Sequence, residues 1–180
     1  MSDKKLCGMG NPLLDIQATV AAGYLDRYQL DSNNQILAEE KHVPMYKELV
    51  SWFPVDYLPG GATLNTIRIA KVRLNYVINY YVTFQFKWML GEAGGAVYSG
   101  AIGEDDFAET LKDQVAKCKL ETSFFVQSEL PTGTCAALVS GQGHRSLVAN
   151  LAAANTYKAS HLDIRKYHRL WSIEPYSSPY

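Results

Sequence analysis

Residues 59–71 join a proline and two adjacent glycines to a stretch with helical spacing, Pro-Gly-Gly-Ala-Thr-Leu-Asn followed by Thr-Ile-Arg-Ile-Ala-Lys. Glycines have no Cβ and let the backbone approach a bound molecule closely. A helix N-terminus adds unpaired N–H groups and a partial positive charge. Asn65, near the first turn, carries an amide that can donate to and accept from a sugar hydroxyl. The pattern is also typical of a plain strand-to-helix turn, so alone it leaves both interpretations open.

Composition restricts the class of protein. The 180 residues are 47% hydrophobic and 19% charged, which predicts one globular domain with its own core. A net charge of −1 provides no basic surface for nucleic acid or an anionic membrane. The apolar window at 76–90 is too polar and too short to cross a bilayer. Three cysteines without framework or metal-site spacing, and no signal peptide, predict a cytoplasmic protein, with the nucleus as a second location.

Hydrophobic periodicity predicts alternating strands and helices. Strands are expected at 6–10, 14–20, 35–38, 96–103 and 122–127, with a hairpin formed by 134–140 and 146–151; helices are expected at 22–28, 45–53, 66–71 and 107–117. The alternation predicts an α/β fold with a parallel sheet, and the short strands with one polar face predict a separate antiparallel sheet.

Two segments conflict with this pattern. Residues 72–86 are rich in Tyr, Val and Asn, and they interrupt a helix that should continue from residue 66 to about residue 90. Residues 169–180 contain two prolines and no hydrophobic period, which predicts an unstructured tail. We interpret 72–86 as an insertion that breaks a helix.

Six ordered blocks identify a family. They are Gly-Met-Gly-Asn-Pro-Leu-Leu-Asp (8–15), Asn-Gln-Ile-Leu-Ala (34–38), Gly-Gly-Ala-Thr-Leu-Asn (60–65), Gly-Ala-Ile-Gly-Glu-Asp (100–105), Pro-Thr-Gly-Thr-Cys-Ala-Ala (131–137) and His-Arg-Ser-Leu-Val-Ala-Asn-Leu-Ala-Ala-Ala-Asn (144–155). Together they resemble the adenosine kinases of the ribokinase-like (PfkB) group over residues 6 to about 165. The first and last blocks favour adenosine kinases over ribokinases and fructokinases. Ala62 and Leu64 depart from the family, which often has Ser and Gln there.

The resemblance implies an activity and a fold. The activity is ATP-dependent phosphorylation of the adenosine 5′-hydroxyl to AMP, a purine salvage reaction that requires Mg²⁺, in a monomeric enzyme. The fold is a ribokinase-like large α/β domain, incomplete in this chain, with a small antiparallel β-sheet lid over the nucleoside. The partial kinase domain would occupy residues 1–168, with lid strands within about 11–38 and 131–152.

The resemblance also assigns substrate-binding residues. Asn11 and Asp15 would face the ribose, and the Asp15 carboxylate suits adjacent 2′- and 3′-hydroxyls because charge-assisted hydrogen bonds are strong. Gly60, Gly61 and Asn65 would hold the ribose from the other side. The lid face against the base would consist of Leu13, Gln35, Leu37, Cys135, Leu147, Ala149 and Leu151. Arg145 would direct positive charge toward the phosphates. Without the resemblance, Asp15 is typical of a capping or solvated acid and Arg145 of a surface charge.

A Gly-Ala-Gly-Asp type motif supplies the catalytic Asp and an anion hole in this family, and most ATP and Mg²⁺ contacts lie near it. This sequence contains no Gly-x-Gly-Asp. Phosphoryl transfer depends on positioning and electrostatic stabilisation, so the resemblance implies a truncated, catalytically incomplete chain with no catalytic or metal-binding residue assigned. Codons for 72–73 and 83–85 could form splice sites, so we hypothesise a retained intron and a frameshifted end.

Two alternatives remain open. The chain could be a non-catalytic nucleoside-binding remnant, or an unstable fragment without activity. It could instead be another ribokinase-like kinase that acts on a sugar or on a different nucleoside. The block at 144–155 disfavours this last alternative.

Overall fold

The computed structural model describes residues 5–75, 95–141, 143–162 and 170–173. The strands are β1 (Lys5–Met9), β2 (Leu13–Thr19), β3 (Gln35–Leu37), β4 (Val55–Gly60), β5 (Gly95–Ile102), β6 (Glu121–Val126), β7 (Thr134–Ser140), β8 (His144–Asn150) and β9 (Leu170–Ile173). The helices are α1 (Ala22–Arg27), α2 (Val43–Trp52), α3 (Ala62–Asn75) and α4 (Asp106–Lys117), with 3-10 turns at Glu40–His42, Ala152–Thr156 and Ala159–His161. These elements build two sheets.

The first sheet has the strand order β6-β5-β1-β9, and every pairing in it is parallel. Its β5 strand is buried at all eight positions, as expected for a central parallel strand with both faces covered. Helices α3 and α4 share one buried cluster with this sheet, which includes Leu64, Ile67, Tyr98, Ile102 and Leu111. The predicted α/β class with a parallel sheet is confirmed.

The second sheet has the order β3-β8-β7-β2-β4 and is mixed. The β2–β4 and β7–β8 pairs are antiparallel, whereas β2–β7 and β3–β8 are parallel. The sequence predicted an antiparallel sheet because only the local hairpin is visible in it. A parallel pair needs a long crossover, and strands β5 and β6 of the first sheet lie between β2 and β7 along the chain. Four of the five strands lie within the ranges predicted for the lid.

Helices α1 and α2 cover one face of the second sheet. Ile16 and Leu138 of the sheet form a buried cluster with Leu25, Met45 and Leu49 of the two helices. Alternate residues of β2 are therefore buried, and their neighbours Leu13, Asp15 and Gln17 project from the opposite face.

A small hydrogen-bond network ties the segment before β7 to the first sheet. Asp105 caps α4 by accepting from the backbone N–H of Ala108 at 2.9 Å. The same carboxylate accepts from the Thr132 backbone N–H at 2.8 Å and from the Thr132 hydroxyl at 2.6 Å. The Thr132 hydroxyl in turn accepts from the Gly103 backbone N–H at 3.0 Å. This network positions β7, and with it Cys135, relative to the first sheet.

The structure describes part of each misfit segment, and the interpretation of 72–86 as an insertion stays a prediction. Helix α3 continues to Asn75, so the helix does not break at residue 72; residues 76–86 lie outside the described residues. Residues Leu170–Ile173 form a strand parallel to β1, so the prediction of an unstructured tail was wrong there; residue 169 and residues 174–180 lie outside the described residues. Leu-Trp-Ser-Ile has β-favouring residues, but pairing with a distant strand leaves no local period.

Strand β4 was missing from the sequence prediction. Pro54 and Pro59 flank and interrupt it, and proline normally argues against a strand. The structure places β4 at the edge of the second sheet, where a missing backbone N–H is tolerated.

Candidate functional site

The predicted lid residues share one face of the second sheet, which we call the open face. Leu58, Asp15, Cys135, Ala149 and Leu37 are successive cross-strand partners, so their side chains project to the same side. Residues two or four positions away along the strands lie on it as well: Leu13, Gln17, Gln35, Asp56, Gly60, Ala137, Arg145 and Leu147. Leu151 lies just beyond β8, at the start of a 3-10 turn.

The open face is partly exposed, unlike the opposite face, although Cys135 and Ala137 near its centre are buried. Leu37 is 64% exposed and Leu58 is 43% exposed, whereas Ile16 and Val148 on the other side are fully buried. Exposed leucines around a half-buried carboxylate are typical of a concave or covered binding surface rather than of an ordinary solvated sheet. The open face is therefore the place where the sequence-predicted residues meet.

Asp15 is the charged centre of the open face. Burial raises the pKa of its carboxyl to about 6, and the nearby positive charges of Arg145 and Arg68 oppose that rise. A Cβ at Gly60 would overlap the Asp15 carboxylate, so only glycine leaves room for it. Among the described residues, no donor forms a hydrogen bond to the carboxylate oxygens, which leaves them free to accept from a ligand.

Gly61 places the start of α3 against the link between β1 and β2. Its φ is +99°, a left-handed conformation that favours glycine. A Cβ at Gly61 would overlap the backbone carbonyl oxygen of Asn11. The structure thus brings Asn11, Gly60 and Gly61 together beside Asp15.

Asn65 lies in the first turn of α3, and its backbone N–H donates to the carbonyl of Gly61 at 2.9 Å. Its side-chain oxygen accepts from Nη1 of Arg68 at 2.8 Å. The Asn65 amide was predicted both to donate and to accept. Because Arg68 donates to its oxygen, the NH₂ group is the end left for a ligand. Arg68 was missed, although its i, i+3 spacing from Asn65 on a helix was a usable signal.

Arg145 reaches across the open face from β8 to β2. Its Nη2 donates to Oε1 of Gln17 at 3.0 Å, and its backbone N–H donates to Oδ1 of Asn33 at 3.1 Å. The side chain is exposed, yet it is held close enough to Asp15 to lower the pKa of that carboxyl. Its contact with a phosphate stays a prediction.

Cys135 contributes a neutral thiol. Its side chain is buried, and burial together with the negative charge of Asp15 raises its pKa to about 12. A thiol with such a pKa is not a nucleophile near neutral pH. Cys135 acts here as a small apolar group on the open face.

The raised pKa of Asp15 predicts a pH-dependent stability. A carboxyl whose pKa is 3.8 when unfolded and about 6 when folded binds more protons in the folded state between these values. The free energy of unfolding therefore falls as pH rises through this window. We expect Asp15→Asn to be more stable than the wild-type chain above about pH 7 and the difference to shrink toward about pH 4. Urea denaturation at several pH values measures this, with the exposed Asp56→Asn as the charge-loss control. A variant that is less stable across the whole range would contradict it.

Within residues 5–75, 95–141, 143–162 and 170–173, no group of three or more His, Cys, Asp or Glu side chains could hold a metal ion. The part of the chain that the structure describes also contains no helix long and apolar enough to cross a membrane.

A family model described as pfkB family carbohydrate kinase matches residues 28–172, which is more than half of the chain. The chain belongs to the pfkB family. This pfkB chain is similar to adenosine kinase 1 of Arabidopsis thaliana, with 43% identity over 160 residues that are 89% of the chain and 42% of the relative. It is also 39% identical to the adenosine kinase of Dictyostelium discoideum over 161 residues, 89% of the chain and 42% of the relative.

Solved structures agree with the pfkB fold. Anopheles gambiae adenosine kinase in complex with P1,P4-di(adenosine-5) tetraphosphate superimposes with a TM-score of 0.73 and 38% identity, covering 92% of this chain and 44% of that one. Schistosoma mansoni adenosine kinase in complex with tubercidin gives a TM-score of 0.70 and 33% identity, covering 93% and 43%. The predicted resemblance and fold class are confirmed. The chain spans 42% of the length of the curated relatives named here.

Proposed function

We propose that this chain forms the adenosine-binding part of an adenosine kinase, which transfers a phosphoryl group from ATP to the adenosine 5′-hydroxyl and produces AMP. The observation that carries the proposal is Asp15: a half-buried carboxylate, without a hydrogen-bond donor from the described residues, at the centre of an apolar open face. A ligand with two adjacent hydroxyls and an apolar ring matches that arrangement. Adenosine has both.

The ribose would lie between Asp15 and the turn that starts α3. The two Asp15 oxygens accept from the 2′- and 3′-hydroxyls, and a charged acceptor makes these hydrogen bonds stronger than neutral ones. The free NH₂ group of Asn65 donates to a ribose oxygen. Gly60 and Gly61 carry no side chains that would obstruct the sugar, and the backbone of Asn11 closes the same end.

The purine would lie along the apolar part of the open face. Leu37 loses exposed surface when a ring covers it, which is favourable. The neutral Cys135 thiol adds apolar contact two strands away. The remaining members proposed to contact the base are Leu13, Gln35, Leu147, Ala149 and Leu151.

The phosphoryl transfer step is assigned to no residue of this chain. ATP and Mg²⁺ belong to the proposed reaction, and we propose no Mg²⁺ ligand among the described residues. Arg145 is the cation that we propose on the phosphate side, held in place by Gln17. We further propose a monomeric protein in the cytoplasm, consistent with the unpaired cysteines.

A second candidate function is nucleoside binding without catalysis. What favours it is that the described residues provide the open face for a nucleoside, while none of them is assigned to phosphoryl transfer. Both candidates use the same residues for adenosine. They differ only in whether ATP is consumed.

Thermal denaturation of the purified chain with increasing adenosine tests both candidates. A ligand at 100 times its Kd stabilises a protein by about 2.7 kcal/mol, so we expect the Tm to rise by roughly 5–10 °C. An ATP-consumption assay with adenosine is run in parallel, with ribose and adenine as separate control ligands. A Tm shift with turnover supports the kinase, and a shift without turnover supports the binding protein. No shift with adenosine overturns both.

A further inference from the structure

Arg68 joins the two elements that frame the glycine pair. Its Nη1 donates to Oδ1 of Asn65 at 2.8 Å and to the carbonyl oxygen of Pro59 at 2.8 Å. Pro59 belongs to β4 and Asn65 to the first turn of α3. One nitrogen therefore spans the turn formed by Gly60 and Gly61.

The chemistry of this contact fixes the direction of the Asn65 amide. A guanidinium has five donors and no acceptor, so the Asn65 atom that meets it must be the oxygen. A hydrogen bond from a charged donor is also stronger than a neutral one. The NH₂ end therefore points away from Arg68, and a rotation of the amide by half a turn would break the contact.

One hydrogen-bond donor of the Arg68 guanidinium is left unused. Its Nε atom is buried without a hydrogen-bond partner among the described residues. A buried unpaired donor is unfavourable, and such groups in a folded protein call for an explanation. A role in positioning a ligand-binding side chain explains why a half-buried arginine occupies this place in α3.

We propose that Arg68 is a positioning residue for nucleoside recognition: it fixes the Asn65 side chain so that the amide NH₂, and not the oxygen, is presented to the ribose. Arg68 acts through Asn65 and does not itself touch the nucleoside. The inference rests on the function proposed above, because it takes adenosine as the ligand of Asn65.

The charge of Arg68 also affects the pH dependence of adenosine binding through Asp15. Arg68 from α3 and Arg145 from β8 both lower the pKa of Asp15. The other groups near Asp15 on the open face are the neutral Cys135 from β7 and the exposed Asp56 from β4. Removal of Arg68 therefore raises the pKa of Asp15 further. As the pH is lowered, Asp15 becomes protonated earlier, so we expect the variant to lose adenosine binding at a higher pH than the wild-type chain.

Calorimetric titration of adenosine into the full 180-residue chain at about pH 8 tests the proposal, with Arg68→Met as the main variant. We expect Arg68→Met to weaken binding roughly 10-fold, because a charged hydrogen bond that orders Asn65 is lost. Lys71→Met is the matched control, since it removes a positive charge one turn later in α3, and it should stay within about two-fold. In an Asn65→Ala background, Arg68→Met should have little further effect.

Several outcomes overturn the proposal. If Arg68→Met lowers the affinity for adenosine equally in the wild-type and Asn65→Ala backgrounds, Arg68 supports only the fold. Unchanged affinity in Arg68→Met removes the inference and leaves the proposed function intact, whereas absence of adenosine binding by the wild-type chain removes both. A pH midpoint of binding that moves upward in Arg68→Met but not in Lys71→Met supports the proposal.

If Arg68→Met does not fold, the conservative variant Arg68→Lys tests the proposal instead. Arg68→Lys keeps the charge but not the planar fork of donors, so we expect a several-fold loss of affinity with an unchanged pH midpoint. Wild-type affinity in Arg68→Lys, together with additivity toward Asn65→Ala, would overturn the proposal.

Discussion

Asp15→Asn is expected to weaken adenosine binding by about 100-fold or more. The variant keeps the shape of the side chain but replaces a charged acceptor of two hydroxyls with an amide. Hydrogen bonds to charged groups contribute about 1.5–3 kcal/mol each, and two of them exceed the ~2.7 kcal/mol that corresponds to 100-fold. Isothermal titration at about pH 8, above the pKa of about 6 given to Asp15 by burial, measures the change.

The matched control for this variant is Asp56→Asn. Asp56 also lies on the open face, in the neighbouring strand β4, but it is exposed and pairs with Gln17 rather than Asp15. We expect it to bind adenosine like the wild-type chain. Asp15→Asn should also reduce the preference for adenosine over 2′-deoxyadenosine, since one of its two partners is the 2′-hydroxyl. Equal losses in the two variants would show that general charge, and not Asp15, governs binding.

Gly61→Ala is expected to destabilise the chain by about 3 kcal/mol. A left-handed conformation costs a residue with a Cβ about 1–2 kcal/mol. At Gly61, with φ of +99°, the new Cβ would in addition overlap the Asn11 carbonyl oxygen, which forces the backbone to move. Cores that must shift to admit extra atoms lose about 1–3 kcal/mol. Urea denaturation measures the sum.

Gly143→Ala separates the two costs. Gly143 has a φ of +90°, and a Cβ there would meet nothing within 4 Å. It therefore carries only the conformational cost, and we expect a loss of about 1 kcal/mol. Similar losses at the two positions would mean that the start of α3 does not close tightly on Asn11. A larger loss at Gly61, accompanied by weaker adenosine binding in the folded variant, is the expected result.

The faces of the second sheet could be predicted from the sequence, because strand periodicity is local. In β2, Leu14 and Ile16 alternate with Asp15 and Gln17, which assigns two apolar residues to the core and two polar ones to the other side. Recognition of ordered blocks then gave the site residues that share the open face. Strand periodicity and the ordered blocks are both properties of short, continuous segments of the chain.

The remaining features depend on contacts between distant segments. The parallel pairing of β2 with β7 joins Asp15 to Cys135, and no local pattern specifies it. Strand β4 was hidden by its prolines, and the fit of Gly60 against the Asp15 carboxylate emerges only when β4 lies beside β2. The bond from Arg68 to Asn65 needed the helix to begin as early as Ala62.

The alternation along β2 also bears on how the chain reaches its folded state. A shift of the β2–β7 pairing by one residue would turn every side chain of β2 to the opposite face. Asp15 would then enter the cluster formed by Met45 and Leu49, where an unpaired carboxylate is strongly unfavourable. The misaligned sheet is thereby disfavoured over the correct one. The acid proposed for sugar recognition thus also protects the chain against misfolding.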